Sequence, residues 1–199
     1  MRRLLLVVAL LVAAPALADE IPGVAQVAPR PPITFGFRVG GYGFREPGEG
    51  STAWDACRMN GLGLYAQRGL RGPLFLEAGA DVYFAADRGE DYVQKVDRLS
   101  GLFSLAAGVR TRPTARVVGY AQLGLGVEFT RVEVEGVNQR GMVLPDAFLG
   151  IGVAVRVTDR LQLGGNMRVH AMGYFEGDAT MEARPEAATQ GQLFIGYDL

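Results

Sequence analysis

"RLQLGGNMRVHAMGYF", residues 160–175, divides into two faces when it is read as an extended strand. Leu161, Leu163, Met167, Val169 and Ala171 fall on one side, whereas Gln162, Asn166, Arg168 and the single histidine, His170, fall on the other, because successive side chains of a strand point to opposite faces. A soluble sheet would turn the apolar side to a core and the polar side to water. A barrel dissolved in lipid reverses that assignment.

Seven further segments show the same period of two. "ITFGFRVG" sets Ile33, Phe35, Phe37 and Val39 against Arg38 and two glycines. "NGLGLYAQ" sets Leu62, Leu64 and Ala66 against Gly61, Gly63, Tyr65 and Gln67. "LFLEAGADVYF" sets Leu74, Leu76, Ala78, Ala80, Val82 and Phe84 against Glu77 and Asp81, and "GLFSLAAGVR" sets Phe103, Leu105, Ala107 and Val109 against Ser104 and Arg110. In the second half, "VVGYAQLGLGVEF", "FLGIGVAVRV" and "GQLFIGYDL" continue the pattern, with Glu128, Arg156 and Asp198 on their polar sides. Alternation over such lengths, bounded by turn-forming residues, reads as eight strands.

The connections alternate too. "RGLRGP", "TRPTAR" and "TDR" are short and rich in Gly, Pro and Asp, the residues of tight turns. "REPGEGSTAWDACRM", "AADRGEDYVQKVDRLS", "EGVNQRGMVLPD" and "EGDATMEARPEAATQ" are long and mostly polar. Short turns at one end and long loops at the other define an all-β, eight-stranded antiparallel up-and-down transmembrane β-barrel, spanning residues 33–199.

The apolar face decides the solvent. It is Leu, Val, Ile, Phe and Ala over about nine residues per strand, enough to cross a bilayer at the usual tilt. The other face mixes glycine and alanine with polar groups and carries no lysine. Small residues suit the crowded interior of a narrow barrel, whereas a soluble barrel needs a solubilising outer face. The charges of the inner face balance, with Arg38, Arg110, Arg156 and Arg168 against Glu77, Asp81, Glu128 and Asp198. Charges away from water persist only when paired, so these residues and His170 are expected to form an interior polar network. Two phase slips are expected toward the long-loop end, at Gly40-Gly41, where Tyr42 and Phe44 take over the apolar character, and near Arg131, where Val132 and Val134 do. Tyr42, Phe44, Tyr83, Phe84, Phe129, Tyr174 and Phe175 collect near that end as an interfacial aromatic girdle would.

The segment before the barrel has another purpose. Residues 1–18, "MRRLLLVVALLVAAPALA", combine two arginines, an apolar run and Ala16-Leu17-Ala18, the form of a cleaved signal peptide. Residues 19–32 form a proline-containing periplasmic lead. A formal net charge of -1 gives no sign of a nucleic-acid partner. One cysteine, Cys57, cannot make an internal disulfide. A lone Cys57 and a lone His170 argue against a transition-metal site, and no cofactor is expected. "DRGED", with Asp87, Glu90 and Asp91, reads as a solvated acidic loop. The glycines of "GLGLYAQRG" alternate as strand residues do, so this is no phosphate loop.

With eight alternating strands and alternating loop lengths, the chain resembles the small outer-membrane barrels of the OmpA/OmpX/OmpW-like group. Its most specific feature is the ending "QLFIGYDL", in which Tyr197 and the final apolar Leu199 resemble the C-terminal signal read by the outer-membrane assembly machinery. That family more often ends in Phe or Trp. The resemblance implies a bacterial outer-membrane location, contact with lipid and lipopolysaccharide, and a monomer. It also implies that the peptidoglycan-binding domain of full OmpA-type proteins is lacking. Some barrels of this size modify lipids: the lipid A deacylases carry a His-x-Ser pair on one strand. Here the spacing reads "HAM", with Met172 in place of the serine, so His170 lacks a nucleophile on its own strand. The expectation is a non-enzymatic anchor or surface-contact protein whose long loops could meet an extracellular ligand. A narrow conduit for small or hydrophobic solutes and a secreted soluble ligand-binding barrel remain open as alternatives.

Overall fold

The computed structural model describes residues 33–45, 56–87, 96–111, 115–134, 137–175 and 183–199. The signal segment, the lead and parts of the long connections, including Ser51, Trp54, Glu90 and Asp91, lie outside them. Eight strands follow one another: β1 (Ile33–Arg45), β2 (Ala56–Gly69), β3 (Leu74–Asp87), β4 (Val96–Arg110), β5 (Val117–Val134), β6 (Val137–Arg156), β7 (Leu161–Phe175) and β8 (Ala183–Asp198). Each pairs antiparallel with the next, and β1 pairs with β8 to close the barrel. Closure gives each of the eight described strands a neighbour on both sides, so none is an edge strand, as a backbone in lipid requires.

The turns at the short end have local causes. Gly72 takes φ 67° in the turn between β2 and β3, where a side chain would be strained. Between β6 and β7, the Thr158 hydroxyl accepts from the backbone N–H of Leu161 at 3.0 Å and of Arg160 at 3.3 Å, the self-bonding that makes threonine a turn residue.

Side chains divide as the alternation requires. Leu64, Leu105, Leu125, Leu149, Met167 and Leu193 point outward and are 63% to 69% exposed. Inside, large side chains stand directly opposite glycines of the neighbouring strand: Tyr65 opposite Gly36, Tyr83 opposite Gly61, Phe75 opposite Gly108 and Phe148 opposite Gly124. A Cβ on Gly124 would lie 2.2 Å from the Phe148 ring. The lumen is wide enough for one ring per pair, so the interior glycines are the space the rings occupy.

Several expectations are corrected. The register of β1 against both neighbours runs unbroken through Gly40-Gly41, so Tyr42 stays in phase with Arg38 and is buried in the lumen. Its hydroxyl finds a partner there, which removes the cost that would otherwise turn it outward. Tyr83 is likewise interior, so neither belongs to the aromatic girdle; Phe84 and Phe129 do face outward. The side chains of Phe44, Tyr174 and Phe175 lie outside the described set. The second irregularity falls at Glu133/Val134 and not at Arg131, which keeps its phase. The third long loop is mostly ladder, because β5 and β6 continue pairing up to Val134 and Val137. β2, β4 and β8 also begin earlier than their apolar alternation, at Ala56, Val96 and Ala183.

Candidate functional site: the polar lumen

Three layers of polar side chains fill the barrel. In the middle layer, Arg38 of β1 faces two carboxylates of β3: its Nε and Nη2 each donate to Asp81 at 2.6 Å, and Nη1 donates to Glu77 at 2.9 Å. Arg168 of β7 donates to the same Glu77 oxygen. With the Gln122 carboxamide turned so that its oxygen faces the guanidinium, it accepts from Arg168 Nε at 2.9 Å and Nη2 at 3.0 Å. Gln192 donates to Asp81 at 3.1 Å and to the Tyr83 hydroxyl at 2.8 Å. Two guanidiniums and two carboxylates thus cancel across the lumen. Bidentate geometry and the surrounding amides are what make buried ions tolerable.

The layer toward the long loops is different. Tyr42 donates to Glu128 at 2.7 Å, with the Met172 sulfur 3.0 Å from the same hydroxyl. His170 Nδ1 lies 2.7 Å from Asp146 Oδ2. The imidazole is held between Tyr42, edge-on at 5.6 Å, and Phe148 at 5.2 Å. Ser100 donates to Thr130 at 2.8 Å beside them.

The layer toward the short turns is looser. Thr34 donates to Asp198, and Arg156 approaches the same carboxylate at 3.9 Å. Arg110 lies over the Phe75 ring at 6.0 Å. A small cavity lined by Tyr65, Tyr120, Asn166 and these two arginines offers about 30 Å³ to the centre of a water molecule. That is room for about one or two waters.

All nine charged or titratable residues singled out from the sequence therefore lie on the lumen face, but they do not form one connected set. Arg38, Glu77, Asp81 and Arg168 meet in the middle. Glu128 and His170 belong to the layer above, where Tyr42 and Asp146 are their partners, while Arg156 and Asp198 meet near the lower mouth. Asp146 was missed because "LPD" reads as the end of a loop; counting back by twos from Phe148 would have found it. Tyr42 and the amides of Gln122 and Gln192 were missed as connectors, as was Gln190, which donates to the Tyr83 hydroxyl at 2.6 Å. Met172, in place of the deacylase serine, faces inward two residues from His170 and is buried. Cys57 is in β2, its side chain outside the described set, and Ser104 is buried on the lumen side. Tyr197 and Leu199 close the chain on the outer face, 45% and 76% exposed. Among the described residues, no three His, Cys, Asp or Glu converge as metal ligands.

A closed polar lumen inside a continuous apolar collar defines a transmembrane β-barrel. Patches of exposed aliphatics on this scale are foreign to soluble monomers, so the soluble ligand-binding alternative does not fit. No protein-family model matches the sequence, and no curated protein matches it in sequence comparison. Its fold is that of the small eight-stranded outer-membrane barrels. Neisserial surface protein A aligns with a TM-score of 0.64 at 11% identity, over 84% of this chain and 97% of that one. The attachment invasion locus protein Ail of Yersinia pestis aligns with a TM-score of 0.58 at 14% identity, over 85% and 99%. The N-terminal β-barrel domain of Pseudomonas aeruginosa OprF aligns with a TM-score of 0.54 at 14% identity, over 83% and 97%. At these identities the likeness is one of fold.

Proposed function

We propose that this chain is a non-enzymatic integral protein of the bacterial outer membrane, exported through a cleaved signal peptide, whose closed barrel anchors the long connections at the cell surface. The observation that carries this reading is the middle layer: Arg38, Glu77, Asp81 and Arg168 bridge β1, β3 and β7 across the lumen. A solute would have to break charge-assisted hydrogen bonds in a confined space to pass. The environment of His170 supports a structural role, since the ring is 1% exposed and engages Asp146, away from any acyl chain. Tyr197 and Leu199 supply the terminal alternation that the assembly machinery would read, and the external loops would present any contact surface for a partner.

Two measurements test it. Purified protein folded into bilayers should migrate differently on gels before and after heating, and planar-bilayer recordings should show no discrete conductance. A steady conductance through the folded wild type would favour the conduit instead, and a protein that stayed soluble without detergent would remove the membrane reading.

A further inference from the structure

The two ends of the barrel differ in charge, although the chain as a whole is nearly neutral. At the short-turn end stand Arg68, Arg71, Arg110, Arg116, Arg156 and Arg160, against Asp159 and Asp198. Arg110 and Arg156 turn into the lumen, and Arg156 approaches Asp198. The other four are exposed. Among the described residues none of these four has a carboxylate within ion-pair distance. They sit against the apolar collar: Arg68 is paired with Ile33 on one side and Leu76 on the other, both outward-facing, and Arg116 precedes the exposed Val117. Arg160 donates to the hydroxyl of Tyr197 at 3.3 Å, and that tyrosine also faces outward. The phenol is neutral, so the guanidinium charge remains uncompensated.

We infer that this basic rim is a binding surface for anionic phospholipid headgroups on the short-turn side of the membrane. The inference rests on the transmembrane reading above. An arginine directly beneath aliphatic side chains lies at the depth of lipid phosphates, can lay its stem along the collar and extend its head to the interface, and can hold a phosphate through two N–H groups. Tyr197 beside Arg160 adds an interfacial aromatic donor or acceptor to the same cradle. Continuity with the lipid-facing surface is what selects a lipid over a soluble acidic partner.

The test measures association of spin-labelled phosphatidylglycerol and phosphatidylcholine with the full chain folded in phosphatidylcholine bilayers. The wild type should prefer the anionic lipid by about threefold or more at low salt, and the preference should shrink near 1 M salt. R68Q/R116Q/R160Q should bring it close to one while the heat-modifiable folded form persists, and R131Q, at the long-loop end, should leave it intact. Equal association of both lipids with folded wild type would overturn the inference while sparing the membrane reading; failure to insert into either bilayer would remove the latter. Loss of preference in R131Q alone would place the site at the wrong end. Capture of polyglutamate by the micelle-bound protein, without any lipid preference, would show the partner to be a soluble polyanion.

Discussion

The two faces of one strand live in different solvents, and the glycines make the contrast plainest. Gly124 faces the lumen, where a methyl group would strike the Phe148 ring; Gly191 faces outward, where a Cβ would meet nothing within 4 Å. The inner face is governed by volume and pairing, because each side chain there has fixed partners. The outer face is governed by transfer into lipid, because its neighbours are fluid. A substitution should therefore be harsh inside when it leaves a partner stranded or overfills a site, and harsh outside only when it brings polarity.

The largest effect should come from breaking the middle layer. Arg38→Gln leaves Asp81 and Glu77 facing each other with one guanidinium removed, and should destabilise the barrel by about 3–5 kcal/mol, read as a shift in urea-induced unfolding from bilayers. Leu105→Arg, in the middle of the collar, should cost about 2–4 kcal/mol in the same assay. Gly124→Ala should cost about 1–3 kcal/mol through overpacking against Phe148, and Phe148→Leu in the same chain should recover part of that loss. Gly191→Ala should change stability by no more than about 0.5 kcal/mol. If Gly191→Ala proved as damaging as Gly124→Ala, the outer face would have a fixed partner of its own.

The sequence was legible where the two solvents differ and obscure where they converge. Within the collar, Ile33 to Val39 and Leu161 to Ala171 alternate because one face meets lipid and the other meets the lumen. Beyond it, as at Ala56–Asn60, Val96–Ser100 and Ala183–Gln190, the sequence shows no such alternation although the backbone ladder continues. An outer face that leaves the lipid loses the constraint that imposes it, so strand ends there carry no signal. Tyr42 failed for a related reason. A phenol is apolar enough to be read as lipid-facing and polar enough to serve Glu128, and only the unbroken register separates the two. The positions of the arginines and carboxylates on the inner face were readable from parity alone. Their grouping into layers was not, since strand stagger decides which residues share a height.

The seam between β1 and β8 gives the barrel a kinetic character. Thr34 and Asp198 touch across a sequence separation of 164 residues, and the pairing continues to Phe44 and Ala188. Until that ladder forms, β1 is an exposed edge, and no local rearrangement can cover it. Closing the ring must await the arrival of the final strand, so folding should be slow for the chain's size and close to all-or-none. A β8 that is delayed or trimmed would leave a sheet open to pairing with its neighbours.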